Sequence, residues 1–472
     1  MFSLKKILDN QTLVFTLGGI IPALLNFTFL PFYSFILTPE DFGLFSYVMS
    51  FQSILLVLTS LSLNTFILRK YFETDTVERR ELFGSIFIFL FFYNLVLVVC
   101  LLLIFPYLIP NLTSTIPFYP YFLLMIAGLF FEFIFIFPMI IFRVEKLAKW
   151  YVVFSVAKQI CTFIIAYIAI EAFELGILGR FIAIFSVNLI FAFISLFIIS
   201  QHSDLRYKKP LIYEGLRFSA PIIPAAILGT IYVALDKLLL INYISLDQLG
   251  LYTLAASLAS VINFVSLGYY RAVEPVIFES FKSEYFLEKV NDISRVLLII
   301  LLPSGLLLSL FSSDILFYFF NDNFHFAFIF VPFFIISLIL EAQRRILGTI
   351  LHAYKVTKYD LPIRLVSICC YIVFFLLLVP KFGVFSALWA LILGAMAGLL
   401  TTLLILKKYI KVNNYLLYTM PVLCTFLFIP NLLQNYFSSE NYVFIIFKLL
   451  ISLIIFIAIW LYFRRNKNLI PN

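Results

Sequence analysis

The chain has 472 residues, 63% of them hydrophobic and 12% charged, with a formal net charge of +8 and a mean hydropathy of +1.08. Soluble domains run nearer 45–50% apolar and about 25% charged, which excludes a soluble globular core and any domain count based on length. The positive surplus does not gather into a basic face for nucleic acid. It is spread over loops at intervals, and no nucleic-acid partner is expected.

Apolar runs of about 20 residues, enough to cross a bilayer as a helix, recur from end to end. In chain order fourteen spans are expected at 13–37, 43–68, 84–108, 117–142, 151–170, 177–200, 217–241, 250–278, 293–312, 325–350, 361–380, 382–406, 415–433 and 441–463. The fold class is therefore an all-α polytopic membrane protein. Lys5 and Lys6 precede the first run, which is too long for a signal-peptide core and lacks a small-residue cleavage site, so it reads as a retained span. The pair around Pro380 and Lys381 leaves a second option, one long re-entrant segment.

The cations alternate with these spans. Arg69, Lys70, Arg79 and Arg80 follow the second span, and Arg143, Lys146 and Lys149 the fourth. Arg206, Lys208, Lys209 and Arg217 follow the sixth, and Lys282, Lys289 and Arg295 the eighth. Arg344, Arg345, Lys355, Lys358 and Arg364 come at and after the end of the tenth. Lys407, Lys408 and Lys411 follow the twelfth, and Arg464, Arg465 and Lys467 the last. With Lys5 and Lys6, 27 of the 33 Lys and Arg residues fall on one side. The opposite loops (Thr38–Phe42, Ile109–Ile116, Glu171–Gly176, Asn242–Leu249, Ser313–Phe324, Asn431–Glu440) hold none. The positive-inside rule then predicts that both termini are cytoplasmic.

One segment occurs twice. Leu37-Thr38-Pro39-Glu40-Asp41-Phe42-Gly43-Leu44-Phe45-Ser46 is echoed by Ile244-Ser245-Leu246-Asp247-Gln248-Leu249-Gly250-Leu251-Tyr252-Thr253. The copies lie between spans one and two and between spans seven and eight, six spans apart and on the same side. This predicts a six-plus-six parallel repeat: lobes at 1–205 and 206–408, followed by accessory helices at 409–472.

Short loops leave no room for a soluble catalytic domain, and no Gly-rich Walker loop is present to cradle phosphates. The five cysteines fall inside apolar runs without disulfide or metal spacing. The three histidines stand far apart, so no metal site is expected. Glu40-Asp41 alone occupies an outer loop where a polymerase would need catalytic groups. Transport is favoured over chemistry.

Ionisable residues inside spans are costly and mark sites by default. Arg180 and Lys381 lie near span ends, where snorkelling accounts for them. Lys448 falls in span fourteen. Lys158 and Lys237 lie within spans five and seven; the first pairs with a neighbouring carboxylate or serves cargo, and the second is compensated by Asp236 or faces a cavity edge. Arg271 and Glu274 share a helical face. They either neutralise each other or, with Tyr269 and Tyr270, offer a guanidinium and aromatic faces to a pyrophosphate headgroup. Arg271 lies about 28 Å along its span, near the cytoplasmic mouth.

Glu132, mid-span, is protonated, paired with a cation such as Lys158, or a coupling-ion site. Glu341 is expected to pair with Arg344 and Arg345. Pro22, Pro31, Pro138, Pro221, Pro224, Pro303 and Pro332 interrupt spans. Pro22, Pro221 and Pro224, early in the first helix of each lobe, suit a gate.

These features resemble the polysaccharide flippases of the multidrug/oligosaccharidyl-lipid/polysaccharide exporter superfamily. The carriers are Leu30-Pro31, Leu37 to Leu44, Phe142-Arg143-Val144-Glu145-Lys146, and Ala220-Pro221 through Asp236-Lys237 to Leu249-Gly250-Leu251-Tyr252. The resemblance implies a MATE-like fold in the bacterial inner membrane. Such a protein flips undecaprenyl-pyrophosphate-linked O-antigen or capsule units by alternating access, without a cofactor and driven by an H+ or Na+ gradient. It implies a cationic cavity, matched by Arg271, Lys237, Lys158 and Arg180 with Tyr270. Glu132 and Asp236 are then the coupling carboxylates, with Glu274 and Glu341 beside them. Implied partners are the lipid-linked oligosaccharide, membrane lipids, and a polysaccharide polymerase and chain-length regulator. The alternatives are a lipid II flippase or drug/cation antiporter of the same superfamily and, in another class, a polysaccharide polymerase or ligase.

Overall fold

Backbone N–H and C=O groups inside hydrocarbon must be satisfied within the protein, and a single segment can do this only as a helix. The computed structural model describes residues 10–409 apart from 114, 205, 282 and 355. Among these it contains fourteen α-helices and no strand. They are α1 (Asn10–Ile36), α2 (Pro39–Ser60), α3 (Leu63–Lys70), α4 (Thr76–Leu112), α5 (Leu123–Val144), α6 (Ala148–Glu171) and α7 (Gly176–His202). Then come α8 (Lys209–Ser219), α9 (Ile222–Leu240), α10 (Leu246–Ser280), α11 (Phe286–Phe319), α12 (Val331–Ala353), α13 (Asp360–Phe382) and α14 (Val384–Leu406). Eleven helical stretches are long and apolar enough to cross a membrane, and α1 adds 27 helical residues. The first twelve expected spans therefore each have a helix. The expected spans at 415–433 and 441–463, the accessory region around them and Lys448 lie outside the described residues.

Local chemistry sets the helix ends. Thr38 caps α2: its side chain accepts from the Asp41 N–H, and Asp41 Oδ2 accepts from the Thr38 N–H at 2.9 Å. Pro39 sits at the first helical position, where a missing N–H costs nothing. The second copy of the repeated segment opens α10 after Ser245, and Gly43 and Gly250 are both buried. The two copies thus play the same local part, turning the chain into a helix.

Two expected spans are each interrupted. The run 43–68 breaks at Leu61 and Ser62, both in the left-handed region (φ 46° and 54°), and resumes as the short α3. The run 217–241 breaks between α8 and α9, with Pro221 at the N-cap of α9 and Pro224 in its first turns. These two prolines open a helix where a mid-helix kink was expected. Pro332 likewise opens α12, whereas Pro22, Pro138 and Pro303 lie inside helices.

The chain divides into two compact units, Met1–Asp247 and Gln248–Asn472. In the first, α7 packs against α5 and α6, α1 against α6, and α9 against α2. Its core is rich in phenylalanine, with Phe83, Phe87, Phe133 and Phe137 in ring contact. The lobes expected at 1–205 and 206–408 concern internal repetition, and this packing division differs from them in placing α8 and α9 with the first unit.

In the second unit α14 packs against both α12 and α13. Gly383, at φ +50°, turns α13 into α14, so the segment around Pro380 and Lys381 is a pair of helices and not one re-entrant stretch. Gly394 and Gly398 let their backbones approach, as small residues four apart do in membrane helix pairs. A β-carbon on Gly394 would lie 3.0 Å from the Ser367 carbonyl oxygen, and one on Gly398 would collide with Ser367 Oγ. Gly398→Val should therefore destabilise this hairpin by about 1–3 kcal/mol. Fluorescence-detected size exclusion should show a loss of monodisperse protein, and an unchanged profile and melting temperature would refute the close-packing account.

Candidate functional site

In the first unit a carboxylate, an ammonium and an amide meet between three helices. Glu132 on α5 lies 3.9 Å from Lys158 Nζ on α6, and Gln52 Nε2 of α2 donates to its other carboxylate oxygen. Lys158 Nζ also sits 3.9 Å from the centre of the Phe135 ring. Both charged side chains are under one-fifth exposed. Of the states open to Glu132, the structure contains the pair with Lys158. Gln52 carries no charge and gave no signal in sequence.

Arg180 on α7 is 7% exposed. Its guanidinium carbon lies 3.7 Å from the Phe45 ring centre, 4.3 Å from that of Tyr33 and 5.9 Å from that of Phe42. It is held in an aromatic cage and does not snorkel; no carboxylate lies within ion-pair distance of it among the described residues. Its proximity in sequence to a span end suggested the wrong environment, because the cage is assembled by α1 and α2 and is invisible locally. Asp236 on α9 is 5% exposed and accepts from the Lys237 N–H at 2.8 Å. Lys237 itself is half-buried.

In the second unit, of the two readings open to Arg271 and Glu274, their mutual pair is not formed. Arg271 is exposed, and Glu274 instead accepts from the Tyr270 hydroxyl at 2.8 Å, one helical turn back. The Tyr270 hydroxyl accepts from Thr349 Oγ1 of α12 at 3.2 Å, while Tyr269 donates to the Ile293 carbonyl. Arg345, counted with the cytoplasmic cations from sequence, lies within α12, which runs on to Ala353. Its guanidinium stands 5.9 Å from the Tyr270 ring centre, its Nη2 donates to Asn263 at 3.4 Å, and its buried Nη1 has no partner among the described residues.

Glu341, Arg345 and Thr349 recur every four residues, so one face of α12 meets the α10 face bearing Asn263, Tyr270 and Glu274. Glu341 accepts from Arg344, the local pairing its spacing suggested. It also lies 3.3 Å from Arg364 of α13, which sequence counted with the cytoplasmic cations. Arg295 was counted in the same way. It is 6% exposed inside α11 and pairs with Asp292 at 3.2 Å.

The model for polysaccharide biosynthesis proteins matches residues 8–281, more than half of the chain. The chain belongs to the polysaccharide biosynthesis protein family. The match takes in the first-unit cluster, both copies of the repeated segment and the Tyr270–Glu274 pair. A search of curated proteins found no match.

Among solved structures, a lipid II flippase, MurJ, in an inward closed conformation is similar with a TM-score of 0.75 at 16% identity, covering 96% of this chain and 99% of that one. An inward-facing multidrug resistance MATE family transporter of the MOP superfamily gives 0.68 at 14% identity, with 82% and 94% covered. The MATE multidrug transporter DinF-BH gives 0.61 at 18%, with 86% and 96% covered. At such identities the likeness is one of fold. This family member is thus a multi-pass membrane protein with the fold of the MOP exporters.

A pair in low dielectric is strongly destabilised when one partner is removed. Lys158→Met should therefore cost about 3 kcal/mol, and Glu132→Gln/Lys158→Met should recover most of it. Thermal unfolding in detergent across the double-mutant cycle measures this; additive losses would contradict a coupled pair.

Proposed function

We propose that this protein flips an undecaprenyl-pyrophosphate-linked oligosaccharide, an O-antigen or capsular/exopolysaccharide repeat unit, from the cytoplasmic to the periplasmic leaflet of the bacterial inner membrane. Both termini are then cytoplasmic, and alternating access between two lobes carries the cargo. Family membership supports the class of cargo. The fold, common to a lipid II flippase and to MATE transporters, supports transport over chemistry.

The observation that carries the reading is a set of interior cations whose charge the protein answers only in part. Among the described residues Lys158 shares one carboxylate, Arg180 meets aromatic faces and no carboxylate, Arg345 keeps a buried N–H without a partner, and Glu341 faces Arg344 and Arg364 together. A diphosphate headgroup supplies the missing negative charge, with guanidinium forks suited to its oxygens. Tyr270 offers an aromatic face and hydroxyl to the sugar beside the headgroup.

Coupling to an H+ or Na+ gradient would run through Glu132 and Asp236. An anionic cargo that draws Lys158 away leaves Glu132 without its countercharge, so cargo binding favours uptake of a proton or cation there. Glu132→Gln should then leave cargo binding intact but remove the gradient dependence of transport in proteoliposomes. Gradient dependence equal to wild type would remove Glu132 from coupling.

Deletion should strand short lipid-linked glycans in the cytoplasmic leaflet. Arg345→Ala and Arg271→Ala should each lower export at least tenfold while the protein remains inserted. Normal surface glycan in the deletion strain would sink the flippase reading, and loss of viability with normal glycan would favour lipid II as cargo. Single repeat units exposed outside would point to a polymerase.

A further inference from the structure

A second cationic site lies away from these clusters, where the short helices α3 and α8 meet. The chain reaching α8 is tied to α4. Asp204 N–H donates to the Arg80 carbonyl at 2.9 Å, Ser85 Oγ donates to the Arg206 carbonyl at 2.6 Å, and Lys208 pairs with Glu81. The buried face of α8, carrying Ile212, Gly215 and Ser219, then seats against α3. Gly215 is tight enough that a β-carbon there would lie 2.9 Å from Leu63 and 3.0 Å from Phe66. Tyr213, Glu214 and Arg217 of α8 stay exposed and border an open cleft beside α3.

Between the helices opens a cavity of about 400 Å³ lined by Phe66, Arg69, Lys70, Glu73 and, from α8, Tyr213, Glu214, Arg217 and Phe218. That volume falls in the range of small-molecule clefts, roughly 300–1,000 Å³. Its charges do not balance, because three cations meet two carboxylates. Lys70 is 2.8 Å from Glu214 and 3.9 Å from Glu73, and Arg69 is 3.3 Å from Glu73. Arg217 forms no ion pair among the described residues. The hydrogen bond to Glu214 holds the Lys70 ammonium above its ordinary range, so it stays charged. Exposed ion pairs such as Arg69–Glu73 contribute little and open readily to a competing anion. The aromatic walls are polar at one end and apolar along their length: Tyr213 is 69% exposed, and Arg69 lies over the Phe218 ring at 5.3 Å. Basic residues with aromatic neighbours on a short helix beside membrane spans are suited to the headgroup layer.

We propose that the α3–α8 cleft binds a phosphate headgroup, with Arg217 and Arg69 as its ligands and Tyr213 and Phe218 flanking the attached glycerol. The phosphate can come from an anionic phospholipid or from solution. The site is independent of the flippase reading. It uses none of the proposed cargo residues.

Native mass spectrometry of the full chain, released from detergent with phosphatidylglycerol or phosphatidylcholine, tests this. Wild type should retain phosphatidylglycerol. Arg69→Gln/Arg217→Gln should reduce retention at least fivefold, whereas Glu214→Gln, which removes a competing carboxylate, should raise it. Arg217→Lys should keep most of it. If the double variant does not fold, Arg217→Gln alone, at an exposed position, should reduce retention at least twofold. Displacement of phosphatidylglycerol by inorganic phosphate supports a cleft that accepts phosphate from solution; failure of displacement supports a lipid headgroup. Equal retention of phosphatidylglycerol by wild type and Arg217→Gln, or equal retention of the two lipids by wild type, overturns the proposal.

Discussion

A charge inside hydrocarbon must be answered by an opposite charge, an aromatic face or water, and the interior of this protein is organised by how each cation is answered. Glu132 and the Phe135 ring answer Lys158, and Gln52 donates to Glu132. Tyr33, Phe42 and Phe45 answer Arg180. Asn263 and Tyr270 answer Arg345 only in part, for its Nη1 has no partner among the described residues. The answers thus grade from an ion pair at Lys158 through aromatic faces at Arg180 to an incomplete set at Arg345. Helix packing follows from the same arrangement, because the cluster around Glu132 joins α2, α5 and α6, and the Tyr270–Thr349 contact joins α10 and α12.

The fold was largely legible in the sequence. Long apolar runs state helices directly, and the alternation of cation-rich and cation-free loops counts them. The repeated segment could be recognised because an N-cap, an acidic turn and a buried glycine have fixed local spacing, as Thr38, Asp41 and Gly43 illustrate. What escaped were the breaks. Leu61 and Ser62 adopt left-handed conformations in a sequence with no glycine or proline to announce them. The α8–α9 interruption was announced by Pro221, but as a kink.

The candidate sites were legible where spacing along one helix decides. Glu341 with Arg344 follows from a separation of three residues. Arg271 and Glu274 have the same separation and yet do not pair, because the Tyr270 hydroxyl, four residues back, reaches Glu274 first and is held by Thr349 from α12. Arg180 shows the limit from the other side. Three rings from two other helices surround it, and no local rule finds them. Counting loop charges also hid Arg345, Arg364 and Arg295, since a cation near a helix end reads as cytoplasmic whether it faces water or the protein.

Family membership, a transporter fold and interior cations that are only partly answered meet in one proposal, the movement of an anionic lipid-linked glycan between leaflets. The most direct test is a leaflet-accessibility assay with purified full-length protein in proteoliposomes, using a fluorescent polyprenyl-diphosphate oligosaccharide and a membrane-impermeant quencher. Protein-dependent transfer that is lost in Lys158→Met/Arg345→Ala, with the variant still folded, is the predicted result. Transfer no faster than in protein-free vesicles, or transfer unaffected by loss of both cations, would contradict the account.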